Sequence, residues 1–180
     1  MSSASNNKGS SIRTYGDPVL AAMADEITNI DGKLITLAED MFRVMYQAPG
    51  LGLAGPQIGV QKQIFVYDVD DDPQVIINPK IVESSGEWVY DEGCLSIPGM
   101  YVEMLRPKKV LVSGFTLEGD EVQIEADELL ARLFQHEIDH LQGVLMFDRM
   151  LPEQRELAIV EYAKVGERPA NAEPLYLRLS

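Results

Sequence analysis

A chain of 180 residues gives room for one domain with a real core, and 46% hydrophobic with 24% charged residues is the balance of a globular protein rather than a disordered or fibrous one. Its 29 acidic and 15 basic residues leave a formal charge of -14, which argues against nucleic acid as a ligand, because phosphates are met by clustered lysine and arginine. No apolar run approaches the ~20 residues of a bilayer span and no apolar leader opens the chain, so a cytoplasmic protein with no membrane partner is expected.

Met1 to Ser11 is small, polar and aperiodic, which predicts a mobile tail over 1–11 ahead of a single catalytic domain over 12–180. From Lys33 to Gln47, Leu34, Leu37, Ala38, Met41, Val44 and Met45 recur at helical steps, and Pro49 with Gly50 ends the helix. The glycine-rich stretch Gly50 to Val60 reads as a loop, followed by a strand over Gln63 to Val69. Short strands are expected at Gln74 to Ile77, Lys80 to Ser84, Tyr101 to Leu105, Val110 to Leu117 and Glu121 to Glu125, separated by turn-forming residues. The acidic runs at Asp68 to Asp72 and Glu118 to Glu121 lack the spacing of a calcium loop and read as solvated turns. A strong helix is expected from Asp127, as N-cap, to about Gln142, with Gly143 as its stop. Pro152 opens a further helix to about Lys164, and Leu175 to Leu179 suits a short final strand. The fold class is α+β: short, mainly antiparallel strands packed around a central helix, with further helices near both ends.

Both histidines of the chain lie in His136-Glu137-Ile138-Asp139-His140, the HExxH pattern, on that central helix. Four residues apart, they project only roughly 40° from each other around the helix and can reach one ion. Leu129 and Leu133 extend the stripe, so this face turns inward. A closed structural zinc site takes four Cys or His ligands, whereas the chain has three such residues in all, which favours an open, water-bearing position. An ion there acidifies its water, and Glu137 is placed to take the proton, which is hydrolytic chemistry.

The third ligand is not fixed by the helix alone. An HExxH metallopeptidase of the metzincin kind would use the position held by Met146, and other peptidases a downstream glutamate such as Glu156 or Glu161; this remains the alternative reading. Cys94, the sole cysteine, stands in Asp91-Glu92-Gly93-Cys94-Leu95-Ser96-Ile97-Pro98, a strand-edge loop able to approach a helix face, and a thiolate with two imidazoles suits zinc or ferrous iron. Gly50-Leu51-Gly52-Leu53-Ala54-Gly55 also matches GxGxxG, with Asp70, Asp71 and Asp72 downstream. A dinucleotide site needs a helix after the glycines, however, and Pro56 with Ile58 to Val69 favours a strand.

Taken together and in order, Gly50-Leu51-Gly52-Leu53-Ala54-Gly55-Pro56-Gln57, Glu92-Gly93-Cys94-Leu95-Ser96 and His136-Glu137-Ile138-Asp139-His140 resemble the three signature motifs of the peptide deformylase family. The resemblance implies metal ligation by Cys94, His136 and His140, with one divalent ion, Fe(II) by family habit and Zn(II) or Ni(II) as substitutes. It implies removal of the N-formyl group from formyl-methionyl nascent peptides, with Glu137 as general acid/base and with Gln57 and the Leu95 backbone N–H as oxyanion donors. By the same carry-over Leu51 and Gly52 hold the peptide in strand-like form, Leu129 and Leu133 line its methionine pocket, Glu92 and Arg106 form a supporting ion pair, and Asp139 orients a ligand. Gly55 departs from the family's usual alanine. The region after Pro152 is not basic, so ribosome docking is left unpredicted.

Overall fold

A computed structural model describes residues 11–179. The expected tail over 1–11 falls, but for Ser11, outside these residues.

Helix α1 (Gly32–Gln47) starts where the Asp31 carboxylate accepts from the N–H groups of Lys33 and Leu34, each at 3.1 Å, satisfying two donors that the first turn leaves without partners. Its inner face buries Leu34, Ala38, Met41, Val44 and Met45. The glycine-rich stretch after it is not simply a loop. Strand β1 (Gly52–Ala54) pairs antiparallel with β2 (Ile64–Val69), and Gly55–Ile58 forms one turn of 3-10 helix between them. Buried backbone at Leu53 and Ala54 needs partners, and Phe65 to Tyr67 supply them.

β2 turns through Asp70 and Asp71, both at positive φ as a two-residue hairpin requires, into β3 (Asp72–Ser85). β3 is one strand where two were expected. The irregularity at Asn78 and Pro79 is a bulge, and Asn78 is held by its side chain, which accepts from Ile27 N–H at 2.9 Å and donates to Ile27 C=O at 2.8 Å. β4 (Trp88–Cys94), which the sequence reading omitted, and β5 (Ile97–Arg106) form a second hairpin, with a register shift at Gly93 and Cys94. β6 (Lys109–Phe115) and β7 (Glu121–Asp127) complete the first sheet in the order β1-β2-β3-β6-β7.

Helix α2 (Glu128–Leu141) crosses this sheet and ends at Gly143, whose φ of 73° gives the left-handed stop. Asp127 holds the N-cap position but makes no capping bond; its carboxylate lies 3.9 Å from Lys109 Nζ instead. α3 (Pro152–Val165) packs on β5, and the final strand β8 (Leu175–Leu177) joins β5 in parallel, giving a second sheet ordered β4-β5-β8. The result is the α+β arrangement expected. Phe65 and Tyr67 pack against Phe134 of α2, the inner face of α1 covers Ile64 and Val66, and Met100, Met146 and Phe147 share a cluster with Ala158 of α3. No helix among the described residues is long and apolar enough to cross a membrane.

Candidate active site

The seam between the two sheets is where α2 is richest in polar side chains that water does not reach. His136 and His140, one turn apart, bring their Nε2 atoms to 3.2 Å. Cys94 arrives from the end of β4, where the tight return to Ile97 swings its sulfur toward the helix, 3.3 Å from His140 Nε2. The Ser96 N–H donates to that sulfur at 3.4 Å. The three donor atoms lie within 4.8 Å of one another. A tetrahedral ion with bonds of about 2.0 Å to nitrogen and about 2.3 Å to sulfur separates such donors by about 3.3–3.6 Å, so the residues present fit a transition metal.

The ligands are held by a network of buried charges. Glu92 accepts four bonds: from Arg106 Nε and Nη2, both at 2.8 Å, from Arg132 Nη1 at 3.2 Å, and from His136 Nδ1 at 3.1 Å. Burial pushes the Glu92 carboxyl up, but His136 and Arg106 outweigh it and hold the group well below the usual carboxylate range. A fixed carboxylate on Nδ1 sets the tautomer that leaves Nε2 facing the centre. Burial opposes a charge on either imidazole. At His136 this is outweighed by Cys94 and Glu92, so its pKa stands well above the ordinary value, while at His140 burial prevails, reinforced by His136, and the pKa falls well below it. The Glu92–Arg106 pair is thus buried, not a surface pair.

Among the described residues the Asp139 carboxylate makes no hydrogen bond to the side chains of Cys94, His136 or His140; it accepts from Arg106 Nη1 at 2.9 Å and from Arg149 Nη2 at 2.6 Å, which places it behind Arg106. Arg132 was not singled out from the sequence. Its Nη2 donates to Trp88 C=O at 2.6 Å, and its guanidinium lies over the Trp88 and Tyr90 rings. Its signal was a lone cation one turn before His136, on the stripe that carries Leu129 and Leu133.

Glu137 is 4% exposed, and burial raises its pKa to about 7 even though His136 pulls it down. Its Oε2 is buried without a hydrogen-bond partner among the described residues. Gln57 is fixed at both ends of its amide: Oε1 accepts from Ala54 N–H at 2.9 Å, and Nε2 donates to Ser96 Oγ at 3.1 Å while lying 3.9 Å from Cys94 Sγ. Ser96 is fully buried, and the motif that contains it gives no sign of this bond from Gln57.

These groups open onto a cleft of about 580 Å³. Leu51 and Gly52 border it along the free edge of β1, and Leu95 and Leu133 also line it, with Leu129 more exposed than Leu133. The peptidase alternative finds no support: Met146 is buried in the core beneath α3, and Glu156 is exposed on that helix. Nor does an α-helix follow the glycines of the GxGxxG match: one turn of 3-10 helix, Gly55–Ile58, leads into β2.

The comparisons with known proteins agree with this geometry. A family model described as polypeptide deformylase matches residues 10–156. A peptide deformylase of Clostridium botulinum is 48% identical over 138 residues, spanning 77% of this chain and 94% of that protein. One from Acidothermus cellulolyticus is 47% identical over 148 residues, 82% of each chain. Among solved structures, a peptide deformylase from Legionella pneumophila superposes with a TM-score of 0.82 at 40% identity, covering 89% of this chain and 97% of the other. One from Synechococcus elongatus, in complex with actinonin, gives 0.79 at 41% identity, covering 84% and 85%. With the family model matched over most of its length and with these relatives, the chain belongs to the polypeptide deformylase family.

Proposed function

We propose that the chain removes the formyl group from N-formyl-methionyl ends of newly made polypeptides in the cytoplasm, releasing formate and a free amine. The observation that carries this reading is the meeting of Cys94, His136 and His140 within 4.8 Å, beside the buried carboxyl of Glu137 and at the foot of a cleft. Cys94, His136 and His140 would hold one divalent ion; one thiolate and two imidazoles suit zinc or ferrous iron, and the family resemblance puts ferrous iron first, with zinc or nickel as substitutes. Such an ion supplies a Lewis acid and lowers the pKa of water.

The protein's own groups do the rest. Glu137 takes the proton of the attacking water at a carboxylate oxygen and returns it to the departing amine, a task suited to a carboxyl held near neutrality. The Gln57 amide and the Leu95 N–H donate to the oxygen that gains charge, and the bonds from Gln57 to Ala54 and Ser96 hold the amide in place beforehand. The free edge of β1 at Leu51 and Gly52 accepts the peptide as an added strand, and Leu129 with Leu133 takes the methionine side chain. Glu92, Arg106 and, behind them, Asp139 hold His136 in place. Residues 12–180 act as one catalytic domain.

The test is metal analysis of anaerobically prepared protein, with formate release measured on a formyl-methionyl peptide; about one transition-metal ion per chain and steady release are expected. Protein carrying its ion but releasing no formate would overturn the reading.

A further inference from the structure

β8 lies beyond residue 156, where the family match ends, yet it pairs with β5 at Met100 and Tyr101, which line the cleft. Its register with β5 is Met100↔Leu175, Tyr101↔Tyr176 and Val102↔Leu177. Tyr176 stacks on Tyr101, planes 12° apart and centroids 5.1 Å apart, and Tyr101 lines the cleft. Arg178 follows this strand, and its side chain reaches across β5, donating through Nη1 and Nη2 to Asp91 on β4, with Nη1 also 3.7 Å from Glu103 Oε2.

Asp91 and Glu103 face each other directly across β4 and β5, an arrangement of like charges that repels unless a cation intervenes. Arg178 is that cation. Asp91 lines the cleft, so the charge of this trio is felt inside it. All three side chains keep substantial exposure, at 52% for Arg178, 32% for Asp91 and 31% for Glu103, so their field reaches solvent at the rim.

We infer that Arg178, acting with Asp91, determines which charges the enzyme accepts on substrate residues beyond the leading methionine. The inference rests on the formyl-peptide reading of the cleft. A peptide lying along β1 alternates its side chains between two sides, which turns some of them toward the wall built by β4 and β5. With Arg178 present the rim carries one net negative charge, and without it two. For an assumed separation of about 7 Å in water, the added charge changes binding of a lysine or a glutamate by about threefold in opposite directions, and their ratio by about sevenfold at low ionic strength.

The experiment uses the metal-loaded full chain with formyl-Met-Ala-Ser, formyl-Met-Ala-Lys and formyl-Met-Ala-Glu. Turnover of the serine peptide by the wild type reports on the formyl-peptide reading alone; its absence removes that reading and this inference with it. Given turnover, the lysine-to-glutamate ratio of kcat/KM decides. It is expected to rise about sevenfold in Arg178→Ala, mainly through KM, to return toward the wild-type value in Arg178→Lys, and to fall in Asp91→Asn. The differences should fade at high salt. A ratio unmoved by these variants, an equal loss with all three peptides, or a shift indifferent to salt overturns the inference.

Discussion

Gly52 and Glu137 stand so close that a β-carbon on Gly52 would lie 2.8 Å from Glu137 Oε1. The edge strand that borders the cleft therefore also limits where the Glu137 carboxyl, the group proposed to move the proton, can sit. Gly52→Ala is expected to keep its metal yet lose about 100-fold in formate release, because a shift of ~1 Å in a reacting group costs that order. Steady-state kinetics beside metal analysis checks this, and an unchanged rate would show that the carboxyl can yield without consequence.

Removing that carboxyl separates proton transfer from ion binding. Glu137→Ala should retain the ion while hydrolysis drops by about 100- to 10,000-fold, since the side chain is not among the three donors. Loss of the ion would contradict the role given to Glu137.

The buried carboxyl also predicts how the metal-free protein responds to pH. Burial raises Glu137 from its ordinary 4.5 to about 7, so the folded state holds this proton more tightly than the unfolded chain. Its contribution to stability is complete below about pH 4.5 and is lost as pH rises through about 7, a difference of about 3 kcal/mol. Metal-free Glu137→Gln should accordingly exceed the wild type in stability at alkaline pH by up to that amount, and the advantage should shrink in acid. Urea unfolding of both proteins at the two extremes measures it; an advantage independent of pH would exclude Glu137 as its source.

Arg106 joins Glu92 to Asp139 with all three side chains buried. Arg106→Ala leaves two buried carboxylates short of a partner and should destabilise the fold by about 3–5 kcal/mol. It should also weaken metal affinity by about 10- to 100-fold, because Glu92 no longer holds His136 Nδ1 in a fixed position. Denaturant unfolding and competition with a chelator give the two numbers separately, and an unchanged chelator midpoint would show that Glu92 needs no support from Arg106.

Helical periodicity was legible wherever one face is buried: Leu34 to Met45 mark α1, and the stripe ending in His140 marks α2. β1 was hidden because glycine has no side chain to show alternation, and β4 because Trp88 to Cys94 is mostly partly exposed, so burial imposes no strict alternation on it. β3 looked like two strands because Pro79 usually ends pairing; the side-chain bonds from Asn78 to Ile27 carry the chain through the bulge. At the site, the scarcity of Cys and His made the three ligands stand out. Arg132 did not, because its partner Glu92 is 40 residues away and only folding brings them together.

Cys94 is the chain's sole cysteine, a half-buried residue whose sulfur is one of the three donor atoms brought together. A thiol-selective dye therefore addresses a single atom of the polypeptide, and that atom reports on the centre itself. On the proposed ligation, an ion bound to the sulfur would shield it from the dye, and removal of the ion would expose one thiol per chain. The wild-type sequence would then carry its own occupancy gauge, readable without adding a label or changing a residue.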